Sequence, residues 1–89
     1  MSYFVYMLLC EGGSYYLGTT NNVPKRFLTH QSGKGASYTR SHKPVKVVYQ
    51  EELPDKSGAL KREATLKKLS HQQKIILISS SHELPFRSQ

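Results

Sequence analysis

Two tyrosines stand ten residues apart near the start of the chain, in Val5-Tyr6-Met7 and Tyr16-Leu17-Gly18, with Glu11-Gly12-Gly13-Ser14 between them. Two short β-prone runs joined by a Gly-Gly turn read as a β-hairpin. Such a hairpin could put two phenol oxygens beside one bound phosphate. Whether it does is a matter of parity. One step of register turns every side chain to the other face of a sheet. A two- or four-residue loop would put Tyr6 and Tyr16 on opposite faces. A three- or five-residue loop centred on Gly12-Gly13 would bring them together, and a three-residue loop with a glycine bulge is a common solution. We therefore expect an odd-length loop or a bulge, with both phenols on one face.

Arg26 and His30 are spaced i, i+4, so on a helix they project from one side about one turn apart. Arginine offers a planar fork of donors to phosphate oxygens, and histidine can hold an anion or move a proton. The same spacing also describes an ordinary solvated polar face. Glu63 is placed more unusually. At about 100° per residue, the mean direction of Ala59, Leu60, Ala64 and Leu66 falls almost on Glu63. A carboxylate in the middle of an apolar stripe requires a partner, because burying a lone charge is costly. Lys67, one turn on, would serve as an ion pair. A divalent cation would serve as well, since Mg²⁺ commonly takes one carboxylate and completes its shell with water and substrate oxygens.

The elements that must position these groups can be read from the pattern. Tyr3 to Cys10 and Ser14 to Thr19 are β-prone runs. Asn21-Asn22 offers an N-cap, and Pro24 is tolerated in a first helical turn, where its missing N–H would be unpaired anyway. That helix should run from Val23 to Gln31 and stop at Gly33. Gly33-Lys34-Gly35-Ala36-Ser37 reads as a loop, and Val45 to Glu51 as a third strand. Asp55 and Ser57 can cap a helix from Gly58 to Leu69. Ser70 and Gln73 have capping-box spacing for a last helix carrying Ile75 to Ile78, with Pro85 beyond its end. The expected order is β-β-α-β-α-α, an α+β domain with a three-stranded, mainly antiparallel sheet flanked by helices. We assign the domain to residues 1–80 and a tail to 81–89.

Composition limits the alternatives. At 89 residues the chain forms one domain with one modest core, so its site should be a shallow groove. Its 13 Lys and Arg against 6 Asp and Glu give a charge of +7, which suits a polyanion such as nucleic acid but also describes a basic protein without one. The cations are dispersed, so binding would use a folded face. Cys10 is the only cysteine, which excludes an intrachain disulfide and fits a reducing compartment. The start lacks a basic leader and the apolar run to Cys10 is too short to span a bilayer. A cytoplasmic protein without a membrane partner is expected. Gly33-Lys34-Gly35 lacks the longer spacing of a nucleotide-binding loop. Tyr38-Thr39-Arg40 could approach a nucleic-acid backbone, or Tyr38 could simply cover the core. His42, His71 and His82 have no metal-ligand spacing and are read as surface residues, and Cys10 as a small buried one.

Taken together, these positions resemble the GIY-YIG nuclease superfamily, in particular its small stand-alone bacterial proteins. The resemblance runs from Phe4-Val5-Tyr6-Met7-Leu8 through Gly13-Ser14-Tyr15-Tyr16-Leu17-Gly18-Thr19-Thr20-Asn21 to Ser70. It includes Arg26, His30, Gly33-Lys34-Gly35-Ala36-Ser37-Tyr38-Thr39-Arg40, Pro44-Val45 and Ala59-Leu60-Lys61-Arg62-Glu63. It implies a divalent-metal-dependent endonuclease that hydrolyses DNA with low sequence specificity, in repair or recombination, with DNA rather than RNA as partner. Tyr6 would be the general base, or would orient it. Tyr16 would contact the phosphate and Arg26 would stabilise the pentavalent phosphorus. His30 would assist proton transfer. Glu63 would hold a single Mg²⁺ or Mn²⁺, and Gly18 would permit close backbone approach. Lys25, Lys34, Tyr38 and Arg40 would join Gly18 in contacting nucleic acid.

An unperturbed phenol titrates near ~10, and a cation-rich pocket around Tyr6 is expected to favour its phenolate. The chain departs from the superfamily pattern in having no Asn after Asn22. It also shows no attached DNA-binding domain. Both departures keep two other readings open: a non-catalytic nucleic-acid-binding module with the nuclease fold, and an adaptor that recruits a repair protein.

Overall fold

A computed structural model describes residues 2–87, with side chains described through residue 80. Its elements run β1 Tyr3–Cys10, β2 Tyr15–Thr20, α1 Val23–Gln31, α2 Ser37–Ser41, β3 Pro44–Leu53, α3 Lys56–Lys67 and α4 His71–Arg87. They form a three-stranded antiparallel sheet in the order β2-β1-β3 with helices around it. The α+β class and the antiparallel sheet stand as expected.

The hairpin has the odd-length loop. The Cys10 N–H donates to the Ser14 carbonyl at 2.8 Å, leaving Glu11, Gly12 and Gly13 as a three-residue connection. Gly12 and Gly13 have φ of 91° and 88°, a region that residues with a Cβ rarely enter. The register then pairs Tyr6 with Gly18 and Leu8 with Tyr16. Because Tyr6 and Leu8 are two residues apart on one strand, Tyr6 and Tyr16 share a face.

Alternation along β1 divides the core between the two faces of the sheet. Tyr6, Leu8 and Cys10 pack with Val23 and Phe27 of α1. Val5 and Met7 pack on the other side with Leu17, Tyr49, and Ala59 and Leu66 of α3. Cys10 is a free, buried thiol, as expected. The starts of the helices are held by local caps. Asn22 Oδ1 accepts from the Lys25 N–H at 3.1 Å, with Pro24 in the first turn of α1. Asp55 Oδ1 accepts from the Gly58 N–H at 2.8 Å, so α3 starts at Lys56, a little before the expected Gly58. Ser70 and Gln73 close the expected box, at 2.9 and 3.1 Å.

Three expectations change. The stretch after Gly33 is a loop only as far as Ala36, after which α2 forms one short turn of helix. Five residues, Ser-Tyr-Thr-Arg-Ser, carry no apolar period to announce it. In α3 the packed positions are Ala59 and Leu66, whereas Leu60 is 46 % exposed and Ala64 lies outside. The buried stripe is therefore narrower than the apolar pattern, but it still passes through Glu63. The backbone of α4 continues through Arg87, past Pro85. A helix can run past a proline where one carbonyl gives up its intrahelical donor. Side chains of 81–87 and all of residues 1, 88 and 89 lie outside the described residues, as does the surface reading of His82.

Candidate active site

Tyr6 projects from the central strand into the α1 face, and its hydroxyl lies 2.8 Å from His30 Nε2. Both residues are buried, at 1 % and 0 % exposure. His30 Nδ1 in turn lies 2.8 Å from the Thr39 hydroxyl on α2, which is also buried. The Tyr16 ring packs edge-on against His30 at 5.0 Å. Two glycines make room for this cluster. A Cβ on Gly18 would lie 2.5 Å from the Tyr6 hydroxyl oxygen, and one on Gly35 would lie 2.1 Å from His30 Nδ1. The close approach expected at Gly18 is thus occupied by Tyr6 itself. Spacing in the sequence gives no sign that Gly35 and Thr39 both touch His30.

The electrostatics follow from burial. Desolvation pushes the Tyr6 phenol up to about 12, against the opposing pull of the Arg26 guanidinium, with Tyr16 and Glu63 adding to the rise. The phenolate expected from a cation-rich pocket is therefore not favoured: one neighbouring cation does not offset loss of water. Burial, and then the Arg26 charge, holds His30 below its ordinary value, so its imidazole is neutral near pH 7. Tyr6 and His30 form a neutral, hydrogen-bonded couple.

Glu63 comes from the opposite side of the sheet. It sits on α3 between buried Ala59 and Leu66 with its side chain 16 % exposed. Its carboxylate acts on the Tyr6 phenol through space, which ties α3 to the cluster. The position of α3 is set in part by its neighbour Arg62, whose Nε donates to Glu51 Oε1 at 2.7 Å, while the Tyr49 hydroxyl donates to Glu51 Oε2 at 2.9 Å. Lys67 lies 3.4 Å from Glu63 Oε2, so the ion-pair partner foreseen in the sequence is present. No group of three His, Cys, Asp or Glu among the described residues could enclose a metal ion. A single, partly exposed carboxylate fits a cation that keeps most of its shell as water and phosphate oxygen.

The remaining candidates lie at the rim. Tyr38 is 37 % exposed and stacks between two rings, Tyr16 at 6.1 Å and His42 at 4.3 Å. An adjoining cleft of about 290 Å³ is lined by Tyr15, Tyr16, Leu17, Tyr38, Lys67 and Lys74. Lys25, Lys34 and Arg40 are exposed and do not line it. Lys74, on the last helix, does; it stood out from no other lysine in the sequence.

Residues 2–75 match the family model of the GIY-YIG catalytic domain. The chain belongs to that family, which is a family of nucleases that act on nucleic acid and generally use a divalent metal. It is 52 % identical over 73 residues to a UPF0213 protein of Cupriavidus pinatubonensis, covering 82 % of this chain and 81 % of that one. A UPF0213 protein of Syntrophus aciditrophicus is 47 % identical over 81 residues, covering 90 % and 93 %. The solution NMR structure of a UPF0213 protein from Bacillus halodurans is similar with a TM-score of 0.57 and 37 % identity, over 96 % of this chain and 98 % of that one. An E. faecalis protein solved by NMR gives 0.61 and 36 %, over 92 % and 88 %. No helix among the described residues is long and apolar enough to cross a membrane.

Proposed function

We propose that this protein is a cytoplasmic, divalent-metal-dependent endonuclease that hydrolyses phosphodiester bonds in DNA with low sequence specificity, in repair or recombination. The observation that carries the reading is the convergence of Tyr6 and Tyr16 on His30, with Arg26 hydrogen-bonded to the Tyr6 phenol and the Glu63 charge felt there. Glu63 would hold Mg²⁺ or Mn²⁺, which when bound supplies Lewis-acid polarisation of the phosphoryl group and charge neutralisation at the leaving oxygen.

The chain's own residues do the rest. Half-buried Tyr16 donates to a phosphate oxygen and fixes its position against the cluster. Arg26 supplies fixed positive charge where negative charge grows on the phosphorus oxygens. Water attacks phosphorus as it gives a proton to the Tyr6 oxygen, and Tyr6 passes its own proton to His30 Nε2. The phenol stays neutral throughout, which suits a group whose ionisation is pushed to about 12. The P–O bond to the leaving strand breaks, the leaving oxygen takes a proton from solvent to become a hydroxyl, and the His30 imidazolium then gives up its own proton to solvent. Recognition by this domain rests on phosphate contacts, to which Lys67 and Lys74 at the cleft contribute with Lys25, Lys34 and Arg40 further out.

The Lys67–Glu63 pair favours a second reading, a non-catalytic nucleic-acid-binding module, because the carboxylate already has a cation. The pair is a weak obstacle. Lys67 is 60 % exposed although Glu63 is only 16 % exposed, and a solvated ammonium is readily exchanged, as in exposed pairs worth about 0–1 kcal/mol. The two readings separate in one experiment. Wild type and Glu63→Ala are incubated with labelled duplex, single-stranded, flap and branched DNA and with RNA, in Mg²⁺ and in EDTA. Cleavage by wild type that disappears in EDTA and in Glu63→Ala supports the nuclease; binding with no cleavage of any substrate supports the module.

A further inference from the structure

The relay above needs His30 Nε2 to be bare, and the chain contains a device that makes it so. We propose that Thr39 is a positioning residue that locks His30 as the Nδ1–H tautomer, aiming the Nε2 lone pair at the Tyr6 hydroxyl. The proposal rests on the proton-relay reading of this site but is argued from the hydrogen-bond arrangement alone.

A threonine hydroxyl has one proton to give and two lone pairs to receive with. Thr39 Oγ1 has three partners: the Ala36 N–H at 3.2 Å, the Ala36 carbonyl at 3.0 Å and His30 Nδ1 at 2.8 Å. The first can only donate and the second can only accept. If the hydroxyl donates to the Ala36 carbonyl, Nδ1 must carry the proton and donate to Thr39. Nε2 is then bare and accepts from the Tyr6 O–H at 2.8 Å. Every proton in the chain has an acceptor.

The opposite tautomer leaves two faults. If Thr39 donated to Nδ1, its contact with the Ala36 carbonyl would be two oxygens with no proton between them. Nε2–H would then donate to Tyr6, whose own proton would face the donor group of Arg26 and have no acceptor. A buried hydroxyl proton left without an acceptor is the more costly arrangement. The other groups facing His30 do not compete for its nitrogens: Tyr16 meets the ring edge-on, and Gly35 presents only backbone. The α2 turn that brings Thr39 into place thus sets the direction of a proton step begun on β1.

The test is the tautomer itself, read by long-range ¹H–¹⁵N correlation of the His30 ring in the full chain at neutral pH. Wild type should show Nδ1–H. Thr39→Ser should keep it, because the hydroxyl remains, and Thr39→Val should lose it. In single-turnover cleavage Thr39→Val should lose about 10²-fold in rate, the low end of what a positioned proton acceptor contributes, with DNA affinity unchanged and Thr39→Ser near wild type. Nε2–H in the wild type overturns the proposal even if Thr39→Val does not fold. Nδ1–H that persists in folded Thr39→Val overturns it as well. The expected tautomer pattern in a protein that cleaves nothing supports the proposal and refutes the nuclease reading instead.

Discussion

The two sides of the site are built on different physics. On the α1–α2 side, Tyr6, His30 and Thr39 are buried, joined by 2.8 Å hydrogen bonds and closed in by glycines at which a Cβ would collide. On the α3 side, Glu63 is partly open to water and its ionic partner, Lys67, is mostly solvated. The first side can move a proton only along a path that is already laid. The second can exchange partners, trading an ammonium for a metal or a phosphate-bound cation at little cost. A phosphodiesterase site needs both: fixed groups where the proton goes, and exchangeable charge where substrate and metal enter.

The largest effect should come from the exchangeable side. Glu63→Ala should reduce metal-dependent cleavage about 10³-fold while its thermal melt stays close to wild type. A large loss of stability instead would mean that Glu63 belongs to the rigid side.

On the rigid side, pH is the next test. Tyr6 titrates near 10 when unfolded and at about 12 when folded. The folded state therefore holds a proton that the unfolded chain releases, so the contribution is intact below pH 10. It is lost as pH rises through 12, amounting to about 3 kcal/mol. Denaturant midpoints in Tyr6→Phe should fall less steeply over that window. His30 has the opposite sense: its value is lowered, so its contribution is present above about 6.5 and declines as pH falls below it.

Smaller effects separate the two sides further. Gly35→Ala puts a Cβ 2.1 Å from His30 Nδ1 and should destabilise by about 1–3 kcal/mol, as overpacking does. It should also shift the His30 ring signals; a variant with an unchanged melt would show that the α2 side yields after all. Lys67→Ala should change stability by less than about 1 kcal/mol. It should nonetheless reduce the salt dependence of DNA affinity by about one unit of slope.

Much of this is legible in the sequence. Asn22, Asp55 and the Ser70–Gln73 pair cap the helices that their spacing announced, because a cap acts within a few residues of chain. The Gly-Gly loop and strand alternation were enough to put Tyr6 and Tyr16 on one face. The exposure of Leu60 and Ala64 is not legible, because an apolar period cannot say how wide a stripe a neighbouring sheet covers. The short α2 escaped notice because its support is tertiary.

What the sequence by itself determined, then, is the set of groups and the local geometry of each: which side of a strand or helix a residue takes follows from period and cap. What only tertiary structure decided is their state. Burial turned an expected phenolate into a neutral phenol, since desolvation depends on atoms brought in from several elements. Close packing made Gly18 and Gly35 sterically necessary, and the arrival of α2 placed Thr39 on His30. Period and capping are properties of neighbours in the chain, whereas protonation and clearance are properties of neighbours in space.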